Sequence, residues 1–257
     1  MKKSTTEKIA GIVAGVGPYA GLDMLHKIFD QTIATTDEEH LTVIGWYQSN
    51  AVPDRTTYLL GKTTENPGHA IAQQLLALEQ AGAVVAAIPC NTAHAPAIFD
   101  AACDELARQN SALHVLHMIR EVAQHMQTEF TDLQCVGVLS TTGTYDTKIY
   151  PALLEPLGYR VVVPPRDWQI AKVDGAIFDP EYGIKATGRG TERTREDLRQ
   201  SIALLREAGA QAIILGCTEL PLAFSETIID GLPLIDPTLI LARAVIREVN
   251  PKKLTAL

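Results

Sequence analysis

Two cysteines of this chain sit in matching surroundings. Gly82-Ala83-Val84-Val85-Ala86-Ala87-Ile88-Pro89-Cys90-Asn91-Thr92 parallels Gly209-Ala210-Gln211-Ala212-Ile213-Ile214-Leu215-Gly216-Cys217-Thr218-Glu219, and in both the cysteine stands eight residues after the glycine. A thiol just past an apolar run, among small polar residues, is placed for acid–base work rather than for packing. Two such thiols on opposite sides of one carbon permit inversion. One thiolate removes a proton from one face, and the opposing thiol delivers a different proton to the other. Helix N-termini beside the cysteines would favour the thiolate and hold a substrate carboxylate. Cys103, in a helix-like segment, and Cys135, at a strand start, read as small buried hydrophobes.

The elements that must position these thiols follow from the apolar pattern. Strands are expected at Ile9–Ala14, Leu41–Tyr47, Ala83–Ile88, Leu133–Leu139, Arg160–Val163 and Gln211–Leu215. Several are apolar throughout, as in parallel strands covered on both faces. Helices fit at Gly68–Ala81, Ala95–Gln109, Met118–Gln127, Thr147–Leu154, Thr191–Ala208 and Pro237–Val249. Strand followed by helix, repeated, specifies a parallel α/β fold whose ligands bind beyond the carboxyl ends of the strands.

A second internal match reinforces the first. Gly11-Ile12-Val13-Ala14-Gly15-Val16-Gly17-Pro18-Tyr19 parallels Gly137-Val138-Leu139-Ser140-Thr141-Thr142-Gly143-Thr144-Tyr145, an offset of 137 − 11 = 126 beside 217 − 90 = 127 for the cysteines. Two similar parallel-sheet α/β lobes are therefore expected, related by a pseudo-twofold axis, with the active site in the cleft between them. The seam falls near Asn110–Leu113. Residues 1–112 form the N-terminal lobe, joined by the C-terminal helical region 223–257, and residues 113–222 form the C-terminal lobe. The polar stretch Asp179–Thr191 reads as a mobile loop.

The net charge of −8 over 257 residues argues against a general nucleic-acid or anionic-membrane surface, both of which need a dense basic field. No stretch approaches the roughly 20 apolar residues of a membrane span. The apolar run from Ile9 meets Gly17-Pro18 too soon for a signal-peptide core. The expected compartment is the cytoplasm, where the four cysteines stay thiols.

Ala14-Gly15-Val16-Gly17-Pro18, Pro53-Asp54-Arg55-Thr56, Pro89-Cys90-Asn91-Thr92-Ala93-His94 and Gly216-Cys217-Thr218-Glu219-Leu220 resemble the signatures of the aspartate/glutamate racemase family. The similarity runs in order from about Ile9 to Asp236. It implies a pyridoxal-independent, cofactor-free amino-acid racemase without a metal, with Cys90 and Cys217 as the acid–base pair and a homodimer as the assembly. Asn91, Thr92 and Thr218, with Thr141 or Thr142, would contact the α-carboxylate and amino group. Arg55 and Lys185 would meet the side-chain carboxylate of aspartate or glutamate, since a guanidinium grips a carboxylate in two prongs. Gly17, Asn50, Ala93 and Glu219 complete the substrate-facing set. Val16 and Gly21 depart from the family's usual residues, which bears on fine substrate preference. The same scaffold also carries maleate-type isomerases and arylmalonate-type decarboxylases, and a non-catalytic amino-acid sensor is a third class to separate.

Other signals weigh less. Gly15-Val16-Gly17-Pro18-Tyr19-Ala20 fits a loose dinucleotide fingerprint, yet the second strand ends Tyr47-Gln48-Ser49-Asn50 without the ribose-binding acid. Its glycines read as a tight turn over the cleft. His114 and His117 read as pieces of a strand and a helix start, and His94 as a residue that helps orient the Cys90 site.

Overall fold

A computed structural model describes residues 7–256. In chain order the elements of the first part are β1 (Ile9–Ile12), α1 (Pro18–Asp30), β2 (Val43–Gly45), α2 (Arg55–Leu59), α3 (Pro67–Gln80), β3 (Ala83–Ala87), α4 (Pro96–Arg108), β4 (His114–Val115) and α5 (Met118–Glu129). The second part contributes β5 (Cys135–Ser140), α6 (Thr142–Thr147), α7 (Ile149–Leu154), β6 (Arg160–Val162), α8 (Arg166–Trp168), α9 (Gly175–Phe178), α10 (Ile184–Thr187), α11 (Glu192–Glu207), β7 (Ala212–Gly216), β8 (Ile228–Ile229), β9 (Leu232–Ile235) and α12 (Pro237–Val249). No helix among the described residues is long and apolar enough to cross a membrane.

The strands form two sheets, ordered β2-β1-β3-β4 and β6-β5-β7-β9-β8. All pairings are parallel except β8 with β9. The order repeats: β1 and β5 lie at equivalent places, as do β3 and β7. The central strands β5 and β7 are buried at every residue, which explains their unbroken apolar sequence. Each lobe has its own core cluster, and a third joins them through α5, α7 and α12.

Helix starts are set by local chemistry. Pro occupies the first turn of α1, α3, α4 and α12, where its missing N–H costs nothing. Asp236 caps α12 by accepting from the N–H groups of Thr238 and Leu239. The same carboxylate pairs with Lys27 of α1 at 2.6 Å, tying the end of the second sheet to the first lobe.

Three expectations need correction. The seam lies beyond residue 113, because His114–Val115 pairs with β3 in the first sheet. Residues 223–236 do not join the first lobe: β9 pairs with β7, and it is α12 and the residues after it that return to the first lobe, α12 packing on α1 and Leu254 bridging to Thr32. The helix expected at Thr147–Leu154 is broken at Lys148, whose left-handed φ of 51° ends α6 and begins α7. Within Asp179–Thr191 the chain forms the short helix α10.

Candidate active site

The segments that follow β1, β3, β5 and β7 converge between the lobes. A cavity of about 20 Å³ is lined by Arg55, Cys90, Asn91, Thr92, Thr141, Lys185, Cys217, Thr218 and Glu219, with Asp54, Thr56 and Phe178. Both cysteines are free thiols and buried. No α-helix begins at either one. Cys90 is followed by the 3₁₀ turn Asn91–His94, and Cys217 by a turn leading to the 3₁₀ helix Leu220–Ala223. Local polarity at the sulfurs therefore comes from charged side chains, not from helix ends.

The turn after Cys90 is held from below. His94 is buried, and its Nδ1 donates to the Cys90 carbonyl at 2.8 Å. Burial lowers the His94 pKa to about 4, so the ring is neutral at physiological pH, stacked on Phe99. From above, the turn is bound to the second lobe. Thr92 Oγ1 meets Thr141 Oγ1 at 3.1 Å and Thr144 Oγ1 at 2.9 Å, and the Tyr150 hydroxyl donates to Asn91 Oδ1 at 2.5 Å.

That last bond fixes the Asn91 amide. Its oxygen is engaged, and its Nδ2 is buried with no partner; Arg55 Nε is likewise buried and unpartnered. Each orphaned buried donor costs about 1–3 kcal/mol until an acceptor meets it. Two in one small cavity make a receptor for an oxygen-rich group such as a carboxylate.

The second cysteine has a different environment. Cys217 Sγ donates to Glu219 Oε2 at 3.1 Å, and Lys185 Nζ pairs with Glu219 Oε1. Burial, and then the Glu219 charge, push the Cys217 thiol well above its ordinary value. Burial alone would raise the Glu219 carboxyl, but Lys185, the Cys217 thiol and Arg55 outweigh it and hold the group below the usual carboxylate range. Arg55 is held above its ordinary value despite burial, because Cys90, Asp54 and Glu219 lie around it.

Gly17 belongs to this arrangement. Its φ of 103° suits glycine, and a Cβ there would stand 2.7 Å from Glu219 Oε1. The turn after β1 thus closes directly over the Glu219 carboxylate.

Residues 13–245 match the family described as Asp/Glu/Hydantoin racemase. The chain belongs to that racemase family. A glutamate racemase from Ectopseudomonas mendocina is 30% identical over 192 residues, which span 72% of this chain and 65% of that protein. The match thus spans less than two thirds of that relative's length. Among solved structures, the aspartate racemase of Picrophilus torridus superposes with a TM-score of 0.77 at 27% identity and covers 94% of each chain. A cysteine-bearing variant of arylmalonate decarboxylase shares the fold at a TM-score of 0.52 and 14% identity, covering 93% of this chain and 92% of that one.

Within this racemase fold, nine residues singled out in the sequence line one cavity. Four others lie elsewhere. Gly17 lines an adjoining cavity of about 250 Å³ that also touches Arg55, Lys185 and Glu219. Asn50 does not face the cavity: it is exposed in the 3₁₀ turn Ser49–Ala51. Ala93 is turned into the first lobe's core. Thr142 faces away, its N–H donating to Asp174 Oδ1 at 3.0 Å, and lines a third cavity of about 500 Å³. Sequence reasoning missed Phe178, for which no motif gives a signal, and Tyr150, which reaches Asn91 from the other lobe. Asp54 had a signal: it is the side-chain cap of α2, accepting from the Thr57 N–H at 2.7 Å. His114 and His117 are the strand and helix-start pieces anticipated, His117 capping α5. No cluster of three metal-ligating side chains occurs among the described residues.

Proposed function

We propose that this chain is a cofactor-independent amino-acid racemase acting on aspartate, glutamate or a close relative, with Cys90 and Cys217 as the two acid–base groups. The observation that carries the reading is a single cavity lined by both thiols, two unpartnered donors and two cations. Asn91 Nδ2 and Arg55 Nε supply donors for carboxylate oxygens, and Thr92, Thr141 and Thr218 supply hydroxyls. The Cys90 thiolate takes the α-hydrogen as a proton: an S–H bond forms as the C–H bond breaks. Cys217 gives its own proton to the opposite face, and the thiolate is then on Cys217. Neither step needs an electron acceptor. Arg55 and Lys185 balance the carboxylate charges, and their presence favours an acidic amino acid over a neutral one.

The test is incubation of the purified chain with single enantiomers of aspartate and glutamate, without added cofactor, followed by chiral chromatography. Appearance of the opposite enantiomer supports the reading. The likeness to arylmalonate decarboxylase keeps a second chemistry on the same scaffold in view: CO₂ release from an arylmalonate, or cis–trans conversion of maleate, with no racemisation would favour it. Binding of an amino acid without turnover would favour a sensor.

A further inference from the structure

We propose that Glu219 is a positioning residue that keeps the proton on Cys217 in the free protein, with Lys185 holding its carboxylate in place. The inference deepens the racemase reading and takes its catalytic meaning from it. The two sulfurs occupy matching places in the two lobes, yet their neighbours differ in sign. A thiolate formed at Cys90 would face the Arg55 guanidinium. One formed at Cys217 would face a carboxylate oxygen at 3.1 Å and would lose the S–H···O bond that now joins them.

Several contacts keep Glu219 where it is. It is 3% exposed, and Oε2 also accepts from Thr218 Oγ1 at 3.4 Å. Oε1 is taken by Lys185 from α10. On the β1 side Gly17 lies close to Oε1, near enough that a Cβ added there would stand 2.7 Å from it. The other charged or titratable groups nearby are Arg55 and Asp54 beside α2, and Tyr150 from α7. Lys185 is paired with Glu219, so the cation that acts on Cys217 is already engaged in the free protein.

The free protein therefore holds Cys217 as the acid. After one turnover the charge has moved from Cys90 to Cys217, beside Glu219. Repulsion there drives return of a proton from solvent to Cys217, as Cys90 releases the one it took. Lys185 on this account serves the proton balance through Glu219 as well as facing the cavity.

The test follows the proton on sulfur, not turnover. Wild-type and Glu219→Gln proteins are alkylated with iodoacetamide from pH 6 to 10, and the Cys90 and Cys217 peptides are followed by mass spectrometry. In the wild type, Cys217 labelling should stay slow at neutral pH and still be climbing past pH 9.0, the ordinary thiol value, without levelling off. In Glu219→Gln, labelling of Cys217 at pH 7.5 should be at least about tenfold faster, the effect of a one-unit shift, while Cys90 changes less than about twofold. An unchanged or slower Cys217 rate overturns the proposal. So does equal acceleration of both cysteines, which would report an opened cavity. The wild-type profile tests the proposal even if the variant does not fold: Cys217 labelling freely at pH 7.5 would refute it. Loss of racemisation with this labelling pattern intact would refute the racemase reading alone.

Discussion

The Tyr150 hydroxyl donates to Asn91 Oδ1 across the junction of the lobes, which fixes the amide and leaves its buried amino group without a partner beside the cavity that Asn91 lines. Tyr150→Phe removes one buried hydrogen bond and little volume. The expected result is a KM raised about fivefold with a smaller change in kcat, in line with about 1 kcal/mol for one such bond. Equal kinetics in the variant would show that Asn91 needs no such alignment.

Arg55 carries one of the two unpartnered donors and sits among Cys90, Asp54 and Glu219. Arg55→Ala should lower kcat/KM for aspartate or glutamate by about 10²-fold or more, the worth of a buried charge-assisted contact. Neutral amino acids should lose far less. Parallel losses on both classes, measured by chiral assay, would remove the side-chain role.

Gly17→Ala places a methyl group 2.7 Å from Glu219 Oε1, at a backbone φ of 103°. Strain of about 1–3 kcal/mol is expected, seen as a lower midpoint in urea denaturation. Activity should fall further than stability does, since Glu219 must shift. A variant of wild-type stability and rate would show that the turn yields freely.

His94 makes stability depend on pH. Its folded pKa is about 4 against 6.5 for the free side chain, so the unfolded chain binds the proton more tightly. The stabilisation is whole above pH 6.5 and is lost as pH falls toward 4, by about 3 kcal/mol for this group. His117, lowered to about 3 by burial first and then by its neighbours, adds in the same direction. Urea titrations at pH 7.5 and 5.0 should show the drop, and His94→Gln should reduce it, leaving the His117 part. An equal slope in that variant would place the effect elsewhere.

The matching cysteine segments were legible because parallel central strands leave an unmistakable apolar run, and their lengths fix where the chain turns into the cleft. β1, β3, β5, β6 and β7 accordingly lie within a few residues of their expected places. The short elements were not legible. β4 and β8 have two residues each, too few for any periodicity, and this displaced the seam and hid 223–236 from the second lobe. α1 was obscured by Gly17-Pro18 and Gly21: a glycine whose added Cβ would strike the Ala14 carbonyl reads as a turn residue, yet here it lets α1 pack against the end of β1. Which polar residues enter the cavity depends on contacts between lobes. Asn50 and Thr142 belong to suitable motifs, but one stays in an exposed turn and the other is held by Asp174.

The proposed racemisation rests on two sulfurs acting in turn on one carbon. Cys90→Ser and Cys217→Ser should each lower racemisation by roughly 10²–10⁴-fold, the usual worth of one acid–base group. Full activity in either variant would exclude that cysteine from proton transfer.

The most direct measurement is racemisation of one enantiomer of aspartate in heavy water, stopped early and analysed for deuterium at Cα in each enantiomer separately. The two-thiol account predicts a deuteron in the newly formed enantiomer while the remaining starting enantiomer still carries protium. Deuterium appearing at equal rates in both enantiomers from the outset would mean that a single group serves both faces, and would contradict it.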